Sequence, residues 1–182
     1  MDPPPGLTLY GSDETNSGAI YDAVLECTVD TREGWVAIQQ MLVKESPVPI
    51  VVDHAYAVSS RTVLQRPSLE QGLPTAGYKL IRGLYLYDDL PDPAAQRLWQ
   101  RHEALAVKVH LGLGRYARHW VDERLTPGAP AVRGFSDLHF PDARSLMQRY
   151  FDSPRGREEI LHDIGHFIQG GLRRIFSQEY VF

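Results

Sequence analysis

The chain has 182 residues, 43% of them hydrophobic, enough for one large or two small domains with a proper core. A net charge of −4 argues against nucleic acid or an anionic membrane as the main partner, because both require a basic surface. No apolar run approaches the ~20 residues of a membrane span, and the single cysteine, Cys27, excludes an internal disulfide and fits a reducing cytoplasm.

Met1 to Gly6 is a proline-rich lead-in with neither a basic region nor an apolar core, so no secretory leader is expected. Residues 7–11 read as a short strand and 12–18 as polar loop. Residues 19–29 alternate, with Tyr21, Ala23, Leu25 and Cys27 on one face, the period of a strand. Asp30, Thr31 and Glu33 supply the cap chemistry of a helix over 34–43. Pro47 and Pro49 break the chain, a helical turn is expected around 51–58, and a strand over 61–66. Residues 68–77, with Pro74 and small residues, read as a linker.

The second half is more regular. Residues 78–87 form an apolar strand, 93–109 a helix and 115–122 a second strand. From Phe135 to Phe140 alternation is strict: Phe135, Asp137 and His139 share one face, and Ser136, Leu138 and Phe140 the other. Pro141 and Asp142 end that strand and start a helix. Ile160, Leu161, Ile164, Phe167 and Ile168 predict a further helix stopped by Gly170 and Gly171, and 172–182 has the content of a closing strand. Residues 78–182 thus read β-α-β-β-α-β, the order of a ferredoxin-like unit. Residues 7–67 repeat part of this order at an offset of about 110 residues, with Asp53 over Asp163 and Tyr56 over His166. They are read as a shortened copy, against the alternative of two unrelated segments.

Four stretches carry a family resemblance: Y-K-L-I-R-G-L-Y-L, L-W-Q-R-H, G-F-S-D-L-H-F-P-D, and H-D-I-G-H-F with S-Q-E-Y-V-F. In their order and spacing the chain resembles the EthD-like members of the dimeric α+β barrel superfamily, over about 105 residues. The chain departs from that pattern at His139, where an aromatic is common, and in a Trp99–His102 spacing shorter by one residue. The resemblance implies an α+β fold, a ferredoxin-like dimeric α+β barrel, here in tandem with a degenerate N-terminal copy (7–67) before the complete domain (78–182). It also implies a small cytoplasmic enzyme, homodimeric and without a cofactor or metal, acting on a polyketide-like or aromatic substrate. A cyclase, dehydratase, decarboxylase or isomerase reaction is the first expectation. A cofactor-free monooxygenase and a non-catalytic ligand-binding module are the alternatives.

Histidine is the side chain to follow, since its ordinary pKa of ~6.5 suits proton transfer near neutrality. Six of the seven histidines fall after residue 100. Asp137 and His139, two apart on one strand face, are expected to look into an enclosed, largely apolar cavity, where a carboxylate makes an imidazole more basic. His102, after Trp99 on the first helix, resembles the histidine that the family places near its pocket. His119 lies on a strand whose two faces both mix polar and apolar groups. Catalytic candidates are therefore His139, Asp137, His102 and His119; Tyr85, Trp99 and His166 are candidates for substrate contact. His162 and His166, four apart, have a metal-binding spacing but no third ligand motif beside them, so no metal is expected. No G-x-S-x-G elbow is present, and Gly112 and Gly114 precede a strand rather than a helix, unlike a nucleotide loop.

Overall fold

The structure is a computed structural model that describes residues 8–12, 21, 23–46, 54–66 and 72–181. Two short strands open it, β1 (Thr8–Ser12) and β2 (Ala23–Glu26), followed by helix α1 (Arg32–Glu45) and strand β3 (Tyr56–Gln65). Then come β4 (Pro74–Leu86), α2 (Asp92–Val109), β5 (Arg115–Arg124) and β6 (Gly134–Phe140). The chain closes with α3 (Ala143–Gln148), α4 (Pro154–Ile164), β7 (Ile168–Gly171) and β8 (Ile175–Val181). The fold is α+β. Its strands form one antiparallel sheet in the order β2-β1-β8-β4-β6-β5-β3, with β7 on the far end of β4.

Local chemistry sets the helix ends. Thr31, Asp142 and Ser153 each accept from a backbone N–H three residues on, at the starts of α1, α3 and α4. Strand alternation then divides the sheet. Leu80, Tyr116, Leu138 and Phe140 turn towards α2 and α4, where Ala106, Val109 and Ile160 complete one core cluster. Leu84 and Leu86 join Ala95, Trp99 and Phe167 in a second cluster along the same side. Gly134 belongs to this packing, because a Cβ there would strike the Trp99 ring. The opposite side carries a small apolar patch, Ile81 and Ile175, against which Tyr21, Val24 and Phe135 pack.

That second side is concave. Strand β2 lies at one end of the sheet, yet Glu26 on it comes within 3.6 Å of His119 on β5, near the other end. The Tyr21 hydroxyl and His54 Nδ1, just before β2 and β3, are 2.7 Å apart. The sheet edges therefore curl towards each other over this face, although no strand pairing joins β2 to β3 among the described residues.

Several expectations are corrected. Among the described residues, β1, β2 and β3 build no second sheet facing the first; they extend both ends of one sheet. Tyr56, Ala57 and Val58 are strand rather than helical turn, because they pair with Arg124, Glu123 and Val121 of β5; residues 51–53 lie outside the described set. Within the expected linker, Pro74 and Thr75 pair with Tyr180 and Glu179, which lengthens β4 backwards. Gly77 permits this, with φ of 102° beside a register shift and with the Phe140 carbonyl where a Cβ would stand. The expected strand 19–29 is reduced to Ala23–Glu26 among the described residues. Helix α4 ends at Ile164, and Gly170 and Gly171 belong to β7. Gly171 sits against the Gly83 carbonyl, an approach only a residue without Cβ makes. The lead-in 1–6 and the prolines Pro47 and Pro49 fall outside the described residues.

Candidate functional site

Alternation places charged residues in phase on four strands of the concave face. Lys79 of β4, Arg115 and His119 of β5, Asp137 and His139 of β6, and Ser177 and Glu179 of β8 are all buried. Register brings them together: Lys79 opposes His139 and Ser177, and Arg115 opposes His139. Lys79 Nζ lies 2.5 Å from Asp137 Oδ2 and 3.0 Å from Glu179 Oε1, and Arg115 also pairs with Glu179 Oε1. Two cations thus balance two anions, as buried charge requires. The surroundings of Asp137 and His139 are charged, not the apolar cavity expected from the sequence.

Burial works to raise the Asp137 carboxyl, but the Lys79 ammonium and His119 outweigh it and hold it down at about 2. Glu179 follows the same pattern: burial raises it, while Arg115 and Lys79 prevail and lower it. Because the folded value of Asp137 lies below its ordinary 3.8, its ionised form stabilises the fold above about pH 4. That contribution disappears as pH falls towards 2. The gap corresponds to about 2 kcal/mol. Chemical unfolding followed from pH 5 to pH 2 should show this loss, and Asp137→Asn should flatten the slope; equal slopes in the two proteins would contradict it.

His139 is the more enclosed imidazole, at 1% exposure. Its Nε2 lies 2.9 Å from the Ala76 carbonyl, so that nitrogen carries the proton and donates. Its Nδ1 is turned towards Gly114 and has no hydrogen-bond partner among the described residues. Burial lowers its pKa, with Arg115 acting in the same sense, and the ring is neutral near pH 7.

His119 is the better connected. Its Nδ1 is 2.7 Å from Ser60 Oγ and 3.6 Å from Glu26 Oε1, and its Nε2 is 3.7 Å from Asp137 Oδ2. Glu26 and Ser60 are solvent-accessible, so this imidazole links the rim of the face to its buried carboxylate. Glu26, His119 and Asp137 also place one ligand-type atom each within 4.8 Å of the others, an arrangement of donor types found around divalent metals. An aromatic wall stands nearby: Tyr56 and Phe135 are edge to face at 5.0 Å, and Tyr56 donates to the Pro130 carbonyl. Burial and the neighbouring Tyr21 and Tyr85 hydroxyls push the Tyr56 phenol upward.

The other candidates are dispersed. His102 lies across the sheet on α2, where Nδ1 is 2.7 Å from Asp163 Oδ2 and the ring meets Phe167; burial lowers its pKa despite Asp163. Trp99 is buried in the helix-side core, its indole N–H donating to the Tyr116 hydroxyl at 3.1 Å. Tyr85, half-buried on β4, is the only substrate-contact candidate on the Tyr56 side. His166 is exposed in the turn after α4, its ring 4.9 Å from that of His162. A cleft of about 310 Å³ between α2 and the β3–β5 edge, lined by Arg61, Gln96, Trp99, Arg118 and Trp120, does not include Asp137 or His139.

Sequence reasoning passed over Lys79, Arg115, Glu179, Glu26 and Ser60. A signal existed for two of them: Lys79 interrupts an apolar strand and Glu179 an aromatic one, each in phase with residues of the concave face. Nothing local marks Ser60 or Glu26. No protein-family model and no curated protein matches the chain, and no helix among the described residues is long and apolar enough to cross a membrane.

Proposed function

We propose that the concave face is an acid–base site for a small aromatic or polyketide-like carbon acid, worked by His119 without a cofactor. The observation that carries this is the bracketing of one imidazole by Ser60 and Glu26 at the rim and by ionised Asp137 beneath. In the tautomer with the proton on the nitrogen facing Asp137, which only accepts, Nδ1 presents its lone pair to the Ser60 hydroxyl. Nδ1 takes a proton from an acidic C–H or O–H, with the Glu26 and Asp137 carboxylates on either side of the ring. Tyr56, Phe135 and Tyr85 supply the ring contacts of an aromatic substrate. His139, with Nε2 committed to Ala76 and Nδ1 against Gly114, serves as packing around the site in this scheme.

The order β8-β4-β6-β5, all antiparallel, supports a ferredoxin-like unit over residues 78–182. The resemblance to EthD-like proteins extends this to a cytoplasmic homodimer, cyclase-, decarboxylase- or isomerase-like in reaction. The test is hydrogen exchange at the acidic C–H of anthrone- and tetralone-type compounds in deuterium oxide, followed by NMR. Wild-type protein should accelerate exchange, and His119→Ala should lose about 10²–10⁴-fold of that acceleration. No acceleration with any compound, or an unchanged rate in His119→Ala, would sink the proposal. Oxygen uptake in the same reaction would move the assignment to a monooxygenase.

A further inference from the structure

The pairing of β3 with β5 sets Ser60 directly opposite His119, and their side chains meet at 2.7 Å on the concave side. Behind the imidazole stands Asp137, ionised and buried, 3.7 Å from the other ring nitrogen. A hydroxyl, an imidazole and a buried carboxylate in series form the relay that activates a serine in acyl transfer, and such relays are identified by geometry rather than by sequence position. The chain has no nucleophile elbow, and Ser60 comes from the middle of a strand, so no motif announces it.

We propose that Ser60 is a nucleophile for acyl transfer, taking an ester or thioester whose acyl group is of the aromatic or polyketide-like class. This rests on His119 acting as a base, as above. Three further features support it. Ser60 is exposed, so an acyl group can reach it. Among the described residues strand β3 is the outermost of the sheet, and an edge strand directs alternate backbone N–H groups outward, where they can receive the developing oxyanion. Asp137 keeps one oxygen, Oδ2, on Lys79 and towards His119, while Oδ1 has no hydrogen-bond partner among the described residues. The carboxylate is thus anchored by Lys79 and retains acceptor capacity for the Nε2–H. The 3.7 Å separation is longer than a hydrogen bond, and such contacts in unliganded sites often shorten when substrate is held.

In the first step the Ser60 hydroxyl proton passes to His119 Nδ1 as Oγ bonds to the acyl carbon. The bond from that carbon to the alkoxide or thiolate then breaks, and the leaving group takes the proton from Nδ1. Water next attacks the acyl-serine, again through Nδ1, releasing the carboxylic acid and restoring Ser60. Protons and electron pairs balance with water as the only co-reactant.

The experiment uses the full chain and a fluorophosphonate, whose phosphorus is attacked by an activated serine with loss of fluoride. Intact-mass analysis should show one adduct per chain, and peptide mapping should place it on Ser60. Ser60→Ala, at an exposed position, should retain its fold by circular dichroism and take up no label. His119→Gln should label at least about 10²-fold more slowly. Absence of an adduct on wild-type protein, an adduct on another serine, or an equal rate in His119→Gln overturns the proposal. Carbon-acid exchange is measured on the same preparation. Exchange by wild-type protein that takes up no label removes Ser60 and leaves the acid–base reading standing. Labelling of Ser60 without exchange does the reverse.

Discussion

Replacing Lys79 by methionine should destabilise the fold by about 3–5 kcal/mol, because it strips two buried carboxylates of the cation they share. Lys79 is 2% exposed and its ammonium touches both Asp137 and Glu179. Glu179 keeps Arg115, whereas among the described residues Asp137 would retain only His119, at 3.7 Å. The Asp137 carboxyl would then lose the strongest influence holding it at about 2 and would rise. Urea unfolding at pH 7 reads the loss directly. The double variant Lys79→Met, Asp137→Leu should recover most of it, since removing a buried pair together is far less costly than orphaning one member. A single variant within about 1 kcal/mol of wild type would show that this charge cluster is not desolvated as the structure describes.

Trp99→Ala should cost a similar amount, about 3–5 kcal/mol, for a different reason. The sequence makes Trp99 a candidate for substrate contact, yet the ring is 2% exposed in the core between α2 and the sheet. Its removal opens a cavity beside Gly134, orphans the Tyr116 hydroxyl that receives the indole N–H, and takes away the ring beneath the Arg118 guanidinium. Burial already pushes the Tyr116 phenol up to about 12, with the Trp99 hydrogen bond opposing that rise. Trp99→Phe keeps most of the apolar contact and should cost less, losing chiefly the hydrogen bond at about 1 kcal/mol. Thermal and urea unfolding distinguish the two variants. Preserved stability in Trp99→Ala with weakened binding of an aromatic ligand would instead restore the substrate-contact role.

These two residues show how differently local pattern and assembly contribute. Period-2 alternation in Phe135–Phe140 already separated Asp137 and His139 from Leu138 and Phe140, and the structure places the two sets on opposite sides of β6. Thr31 and Asp142 as caps, and the bounds of α2, were likewise readable, because they depend on a few neighbouring residues. The stretch from Phe167 to Gly171 was not. Its apolar spacing suits a helix, but pairing with the end of β4 makes residues 168–171 a strand, and only the partner strand settles that choice.

The alternation of the central strands, the helix starts and the clustering of histidines in the second half of the chain all follow from local pattern. Which side chains each of those histidines meets depends on the tertiary structure. His102 sits on a helix beyond the sheet, paired with Asp163, while His119 meets Ser60, Glu26 and Asp137 from three other strands. Ser60 and His119 are 59 residues apart, and Glu26 and His119 lie on strands near opposite ends of the sheet. Their meeting depends on strand register and on the curl of the sheet, both set by long-range pairing and packing. Propensity and periodicity act over a few residues and contain no term for either.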